Sequence, residues 1–235
     1  MKMAWVAGLG ILLAQTLAAE PQAFEATFTV SRNDKALGQM QMKLSPAGSG
    51  WQFVSRTEGN KGLAGFLGVT IEERSTLRLL DDRLSTERYR YQQDMIGRHR
   101  SRSLEVGADG KIAETDNDDH WQYHSQAPLV DKHAVVLAIA ERLTAGADAG
   151  TVFDIPVASK GKVESWRFLI AGRESISTGT GQIDTVRVER LRENSDRKTV
   201  SWHAAAYGYL PVKVEQVEPD GERLVSLLEH FGAGG

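Results

Sequence analysis

The stretch "WHAAAYGYLPVKVEQ" (Trp202–Gln216) reads as a strand, a tight connection and a second strand. Leu210, Val212 and Val214 alternate with Tyr209, Lys213 and Glu215, so the second strand has one apolar and one polar face. Gly208 supplies a permissive backbone for the connection, and Pro211, which lacks an N–H, belongs at a strand start or an edge. His203 and Tyr207 are the polar groups at which a search for a site would stop. No Ser or Cys stands at the spacing of a nucleophile–base pair with His203, and the tyrosines flank the turn and pack across it. The stretch therefore reads as scaffold.

The same period of two recurs outward from it. Phe24, Ala26, Phe28 and Val30 alternate with Glu25, Thr27 and Thr29, and Trp166, Phe168 and Ile170 with Ser165, Arg167 and Leu169. Val186 and Val188 alternate with Thr185, Arg187 and Glu189. One wet face per strand is the pattern of antiparallel sheets, since parallel sheets bury both faces. Turn residues punctuate the strands at Arg32–Lys35, Pro46–Gly50, Asp81–Arg83, Ala108–Lys111, Asn194–Arg197 and Glu218–Gly221. One segment breaks the rhythm. Asp131 can cap a helix whose apolar residues, Val135, Val136, Ile139, Ala140 and Leu143, lie at helical spacing, with Gly146 closing its end. The expected fold is all-β and mainly antiparallel: a large curved sheet or partly open β-barrel of about twelve strands, with one mid-chain helix against its face or plugging an open end.

The N-terminus carries one lysine, an apolar run from Ala4 to Leu13 and small residues to Ala19. That is a secretory signal peptide cleaved after Ala18 or Ala19, too short to span a bilayer. Residues 1–19 are thus expected to be a signal peptide and 20–235 a single β-rich domain, periplasmic and without a transmembrane segment after cleavage. The chain has no cysteine, which excludes disulfides, thiolate metal sites and an acylated lipoprotein anchor. The formal net charge of −3 argues against non-specific nucleic-acid binding.

Four stretches together resemble one family. Trp202–Gln216 looks like the C-terminal signature of domain of unknown function 3108 (DUF3108), a family of bacterial envelope proteins. "FEATFTVSRNDKALGQM" (Phe24–Met40) resembles its opening hairpin, "GLAGFLGVTIEERSTLRL" (Gly62–Leu79) its Gly-Leu-Ala loop and the strand after it, and "TGTGQIDTVRVERLRENSDRKTVSW" (Thr178–Trp202) its Gly-x-x-Asp-Thr-Val strand. The likeness runs from about Phe24 to Glu229. It implies an exported β-rich domain without an assigned activity and supplies no catalytic residues. Ile183 stands where an aromatic is common in the family, which speaks against an aromatic ligand contact there.

Three stretches are candidate sites. In "GRHRSRSLEV" (Gly97–Val106), Arg98, Arg100 and Arg102 alternate and share one face, and guanidinium groups take phosphate or carboxylate in a two-pronged fork. The following segment, Ser103 to Gln122, carries six acids against Lys111 alone, so the arginines also suit a cross-strand charge ladder. In "EGNKGLAGFLG" (Glu58–Gly68), Leu63, Phe66 and Leu67 sit among glycines, as a lip over an apolar groove or as a core flap. In "DNDDHWQYH" (Asp116–His124), His120 and His124 lie about 13 Å apart along a strand, too far for one ion, and the calcium-loop Gly and Glu positions hold Trp121 and Ala127. Neither metal nor cofactor is expected. No nucleophile elbow, phosphate loop or His-Glu-x-x-His occurs, and Glu72 and Glu73 point to opposite faces of a strand. The expected function is therefore non-enzymatic: a concave groove holding a lipid or other amphipathic envelope component, with Arg98, Arg100, Arg102, Leu63, Phe66 and Leu67 as ligand contacts. The alternative is a structural or interaction module docking onto an envelope protein or a glycan.

Overall fold

The computed structural model describes residues 21–234 apart from 63, 64, 66 and 67. The signal peptide and the loop residues Leu63, Phe66 and Leu67 lie outside the described residues. The strands are β1 (Phe24–Arg32), β2 (Lys35–Ala47), β3 (Gly50–Gly59), β4 (Thr70–Leu80), β5 (Arg83–Met95), β6 (Arg98–Val106), β7 (Lys111–Asp116) and β8 (Asp119–His124). After the helix α1 (Val135–Thr144) come β9 (Val152–Ser159), β10 (Lys162–Thr178), β11 (Gly181–Leu191), β12 (Lys198–Ala204), β13 (Leu210–Val217) and β14 (Arg223–Ala233). They form one antiparallel sheet of fourteen strands, two more than the alternation suggested, in the order β8 to β1 and then β14 to β9. The first and last strands thus pair at its centre, Phe24 opposite Ala233 and Arg32 opposite Leu224.

The turns are those the composition called for. Asn33-Asp34 and Asp81-Asp82 have positive φ at both central residues, the mirror-image geometry that matches strand twist. At the opening stretch, Gly208 takes φ 62° after a short 3-10 turn (Ala205–Tyr207), and β13 begins at Leu210-Pro211. Tyr207 stacks on Phe231 of β14, with ring centroids 4.2 Å apart. His203 is fully buried and does have a partner: Nε2 lies 2.8 Å from Ser201 Oγ, while Nδ1 lies 2.8 Å from the Tyr209 carbonyl. Ser201 and His203 stand two apart on β12, and the His203 contact with the Tyr209 carbonyl ties that strand to the connection that leads into β13.

Helix α1 lies inside the curl. Val135, Leu137, Ala138, Ile139, Ala140 and Leu143 are all buried, so it is apolar around most of its circumference. They join Phe24, Phe28, Leu44, Phe53, Ile155, Phe168 and Trp202 in the main core. Arg142 in the last turn and Gly146, at φ 88° and bonded back to the Leu143 carbonyl, end the helix. The helix therefore plugs the concave face.

The strand ladder does not close, because its edges are β8 and β9. The segment leading to α1 bridges the gap. The Leu129 carbonyl accepts from Thr86 N of β5, the Val130 N–H donates to the Pro156 carbonyl, and the Val130 carbonyl accepts from Ala158 N of β9. Beyond this bridge, β6–β8 continue and lap over β9. Ala158 and Ser159 are consecutive yet both buried, and Ala158 packs with Tyr89, Leu104, Ile112 and Leu129 in a second, smaller core. The Glu114 carboxylate of β7 takes the N–H groups of Lys160 and Gly161 in the β9–β10 turn at 2.8 and 2.9 Å. A Cβ on Gly161 would stand 2.4 Å from the Trp121 indole of β8.

Two expectations follow. Gly161→Ala should cost about 2 kcal/mol more in urea unfolding than Gly48→Ala. Both glycines have positive φ, but nothing lies within 4 Å of the Gly48 position, so equal losses would show that the lap is not a close contact. Burial lowers the pKa of His203 to about 4 from an ordinary 6.5. Between those values the unfolded chain binds a proton that the folded one refuses, so stability falls as pH drops through that window, by on the order of 3 kcal/mol. Unfolding midpoints measured from pH 7 to 4 should show this loss reduced in His203→Gln; an unchanged slope would assign the acid sensitivity elsewhere.

Candidate functional site

The concave face is not uniform. One register row crosses the sheet as Phe53, Ser75, Tyr89, Leu104, Glu114 and Trp121; the next reads Ser55, Glu73, Tyr91, Arg102, Asp116 and Asp119. The face is apolar around α1 and grows polar toward β7. Glu73 and Glu72 do point to opposite faces: Glu72 pairs outward with Arg74 at 3.1 Å, while Glu73 accepts from the buried Tyr89 hydroxyl at 2.6 Å. Burial pushes the pKa of both Glu73 and Tyr89 up, and the short bond between them works against the first shift and with the second.

At the inner edge of the bridge lies a network that single-sequence reading did not assemble. The Asp131 carboxylate, 1% exposed, accepts from Ser75 Oγ (3.1 Å), Thr86 Oγ1 (2.8 Å), His133 N (2.8 Å) and Ala134 N (3.0 Å). Asp131 therefore closes the turn that leads into α1 and also holds β4 and β5, but it does not cap the helix as the sequence suggested, because the helix starts later and its N-cap, Ala134, carries no side-chain cap. Ser75 Oγ sits 2.9 Å from His133 Nδ1, and the His133 ring stacks on Phe53 at 4.1 Å. Burial raises the pKa of Asp131 and lowers that of His133 to about 4, so the imidazole is neutral. Serine, histidine and aspartate meet here in the wrong order for nucleophilic catalysis. The serine lies between the other two, is fully buried, and spends its proton on Asp131, where a triad would place the histidine in the middle.

The arginine strand meets the acidic strand as a charge ladder. Arg100 reaches Asp116 with two nitrogens, Nε at 3.2 Å from Oδ1 and Nη2 at 3.0 Å from Oδ2. Arg102 Nε stands 3.1 Å from the same Oδ2. Burial alone would push the Asp116 carboxyl up, but Arg102 and Arg100 together outweigh it and hold the group below the usual range. Arg98 is exposed at the start of β6. The structure thus brings Arg100 and Arg102 together but commits them to Asp116. His99, for which sequence supplied no partner, sits 2.6 Å from Asp94. Of the spaced histidines on β8, His124 contacts the Asp109 carbonyl at 2.8 Å, and among the described residues no three His, Asp or Glu side chains converge as metal ligands.

Two recesses remain, at different places. The apolar one, about 290 Å³ including space open to solvent, lies beside α1 among Phe24, Phe28, Val136, Tyr207, Leu210 and Phe231. Its enclosed part has room for about one water molecule. The polar one, of about 280 Å³ on the same measure, lies in the lap between β5–β7 and the bridge, with Tyr89, Arg102, Glu114, Asp131, Lys132 and Ala158 around it. Burial, then the nearby Arg102, pushes the Lys132 amine down.

An all-antiparallel sheet curled around one helix and lapped at its edges is a barrel-like fold with its concave face occupied. By its sequence, the chain belongs to the family of proteins of unknown function DUF3108, whose family model matches residues 24–228. The resemblance read from four stretches is thereby borne out. A β-barrel-like protein of domain of unknown function DUF1849 from Brucella abortus is similar in structure, with a TM-score of 0.53 at 8% identity over 91% of this chain and 98% of that one. A DUF1089 family protein from Pseudomonas aeruginosa matches at a TM-score of 0.38 and 13% identity over 90% and 95% of the two chains. The first of these likenesses concerns fold alone. No curated protein matches the chain. No helix among the described residues is long and apolar enough to cross a membrane.

Asp131→Ala is expected to lower stability by about 3 kcal/mol or more, because it strands buried donors from three parts of the chain. Urea unfolding checks this; a loss under 1 kcal/mol would mean that the bridge is held by its backbone bonds alone.

Proposed function

We propose that the protein is a non-enzymatic, exported component of the bacterial cell envelope that engages an amphipathic, anionic envelope component at a rim of its sheet. The observation that carries this reading is the occupancy of the concave face by α1, with its six buried residues. A carrier that swallows an acyl chain needs a long apolar channel leading to its polar mouth. Here the apolar recess lies beside Phe24 and Phe231, at the start of β1 and the end of β14. Arg98 and the connection from β3 to β4 lie at the opposite rim. The Asp131 network and the packed helix stand between them. The leader-like N-terminus supports export to the periplasm, and the burial of Ser75, His133 and Asp131 supports a structural role for this constellation, which resembles catalytic machinery.

The test has two arms. Native mass spectrometry of the protein purified from periplasm without detergent is expected to return the bare mass, and a stoichiometric lipid adduct would restore the carrier reading. The same protein is expected to float with vesicles containing an anionic phospholipid and not with purely zwitterionic ones. Failure to float with either would remove the lipid surface and leave a protein or glycan partner, to be sought by crosslinking in cells.

A further inference from the structure

Away from the arginines of β6, Arg190 near the end of β11 and Arg192 just past it lie close enough to repel one another, and neither forms an ion pair among the described residues. Arg190 lies opposite Phe168 on β10, and its guanidinium carbon sits 3.2 Å above the centroid of the Trp166 ring. Its Nε is buried and has no hydrogen-bond partner among the described residues. Arg192, two positions on, folds back so that Nη2 donates to Thr199 Oγ1 at 3.0 Å and Nη1 to the Arg197 carbonyl at 3.1 Å. Thr199 adjoins Val200 on β12, and Val200 pairs with Glu189, the residue before Arg190 on β11. The strand register and the Thr199 bond together bring the second guanidinium to the first.

The carboxylates nearby are already engaged. Glu218 takes Arg197 Nη2 at 2.8 Å and the Gln216 amide at 2.6 Å. Glu164 takes Trp166 Nε1 at 3.1 Å and the Lys162 amine at 3.4 Å. Neither Arg190 nor Arg192 forms an ion pair among the described residues. Burial, followed by the charge of Arg192, lowers the pKa of Arg190 to about 10; burial and then Arg197 lower that of Arg192. Like charges held together on a half-buried face are unfavourable unless something outside the chain neutralises them, and arginines held by packing in this way mark anion sites. The aromatic platform fixes the plane of Arg190, and the Thr199 hydroxyl fixes Arg192.

The geometry points to a phosphate-binding site formed by Arg190 and Arg192, with Trp166 and Thr199 holding the two guanidinium groups in place. A carboxylate has two oxygens and is satisfied by one guanidinium fork; two guanidinium groups and a hydroxyl suit the tetrahedral phosphate group, whose oxygens point in more than one direction. That group can belong to a phospholipid headgroup at the rim or to a soluble phosphorylated molecule. The site stands on its own geometry, and its lipid form rests on the rim reading above.

Isothermal titration with inorganic phosphate at low ionic strength tests it. One saturable site per chain is expected, weakened by about tenfold or more in Arg190→Gln and in Arg192→Gln and unchanged in Arg98→Gln. Arg192 lies past the end of its strand, so Arg192→Gln should keep the parent urea midpoint and report binding even where Arg190→Gln is less stable. Trp166 emission should change on phosphate addition in the parent and lose that response in Arg192→Gln. No saturable binding, or equal binding by all three variants, overturns the site. Vesicles separate the sources. Flotation with anionic phospholipid that is lost in Arg192→Gln places a headgroup in the site. Phosphate binding without flotation keeps the site for a soluble phosphate and removes the membrane-rim reading alone.

Discussion

The Asp131 carboxylate takes hydrogen bonds from β4 through Ser75, from β5 through Thr86, and from the backbone N–H groups of His133 and Ala134 in the turn that leads into α1. Burying a carboxyl group is costly unless donors replace the lost water, and here four do. Most of the other features follow from where it sits. It fixes the bridge between β5 and β9 in register, which gives the curled sheet a seam. It sets the point at which α1 enters the curl, and so which residues fill the concave face. It also aligns Ser75 with His133, whose ring then closes over Phe53.

Much of this was legible residue by residue. The alternation at Phe24–Val30 and at Trp166–Ile170 follows from the pleat, and the Asn33-Asp34 and Asp81-Asp82 turns follow from side chains that tolerate positive φ. The charge ladder between Arg100, Arg102 and Asp116 was readable because the opposite charges sit on adjacent strands. What could not be read depends on separations that local patterning does not encode. Ser75 lies 56 residues from Asp131, and nothing near either residue announces the other. The lap of β6–β8 over β9 leaves its trace only in Ala158 and Ser159, where alternation yields to burial on both faces. Arg190 and Arg192 read as ordinary alternation in "VERLRENSDRK"; only Trp166 beneath one and Thr199 beside the other reveal that they converge.

The division of the interior follows from composition along the sheet. Strands β1–β3 and β12–β14 offer Phe, Leu, Met and Val inward, and α1 completes the same core while lying closest to β5, β9 and β13. The inward row from β4 to β7 carries glutamate, tyrosine, arginine and aspartate, and no helix could cover it without stranding those groups. The protein meets this partly by pairing them with one another and partly by lapping its own edge over them. Arg190 on β11 and Arg192 just past its end form no ion pair among the described residues.

The pairing of β1 with β14 has a bearing on how the molecule comes into being. The strand made first waits for the strand made last, and Arg223 N donates to the Asn33 side chain across 190 residues of chain. Neighbouring hairpins can zip early, but the two arms of the meander join only when the final strand arrives. Such long closures make folding slow, on the order of milliseconds to seconds or longer. A growing chain therefore lacks the central seam of its sheet until β14 has been made, and until then its two arms stay unjoined.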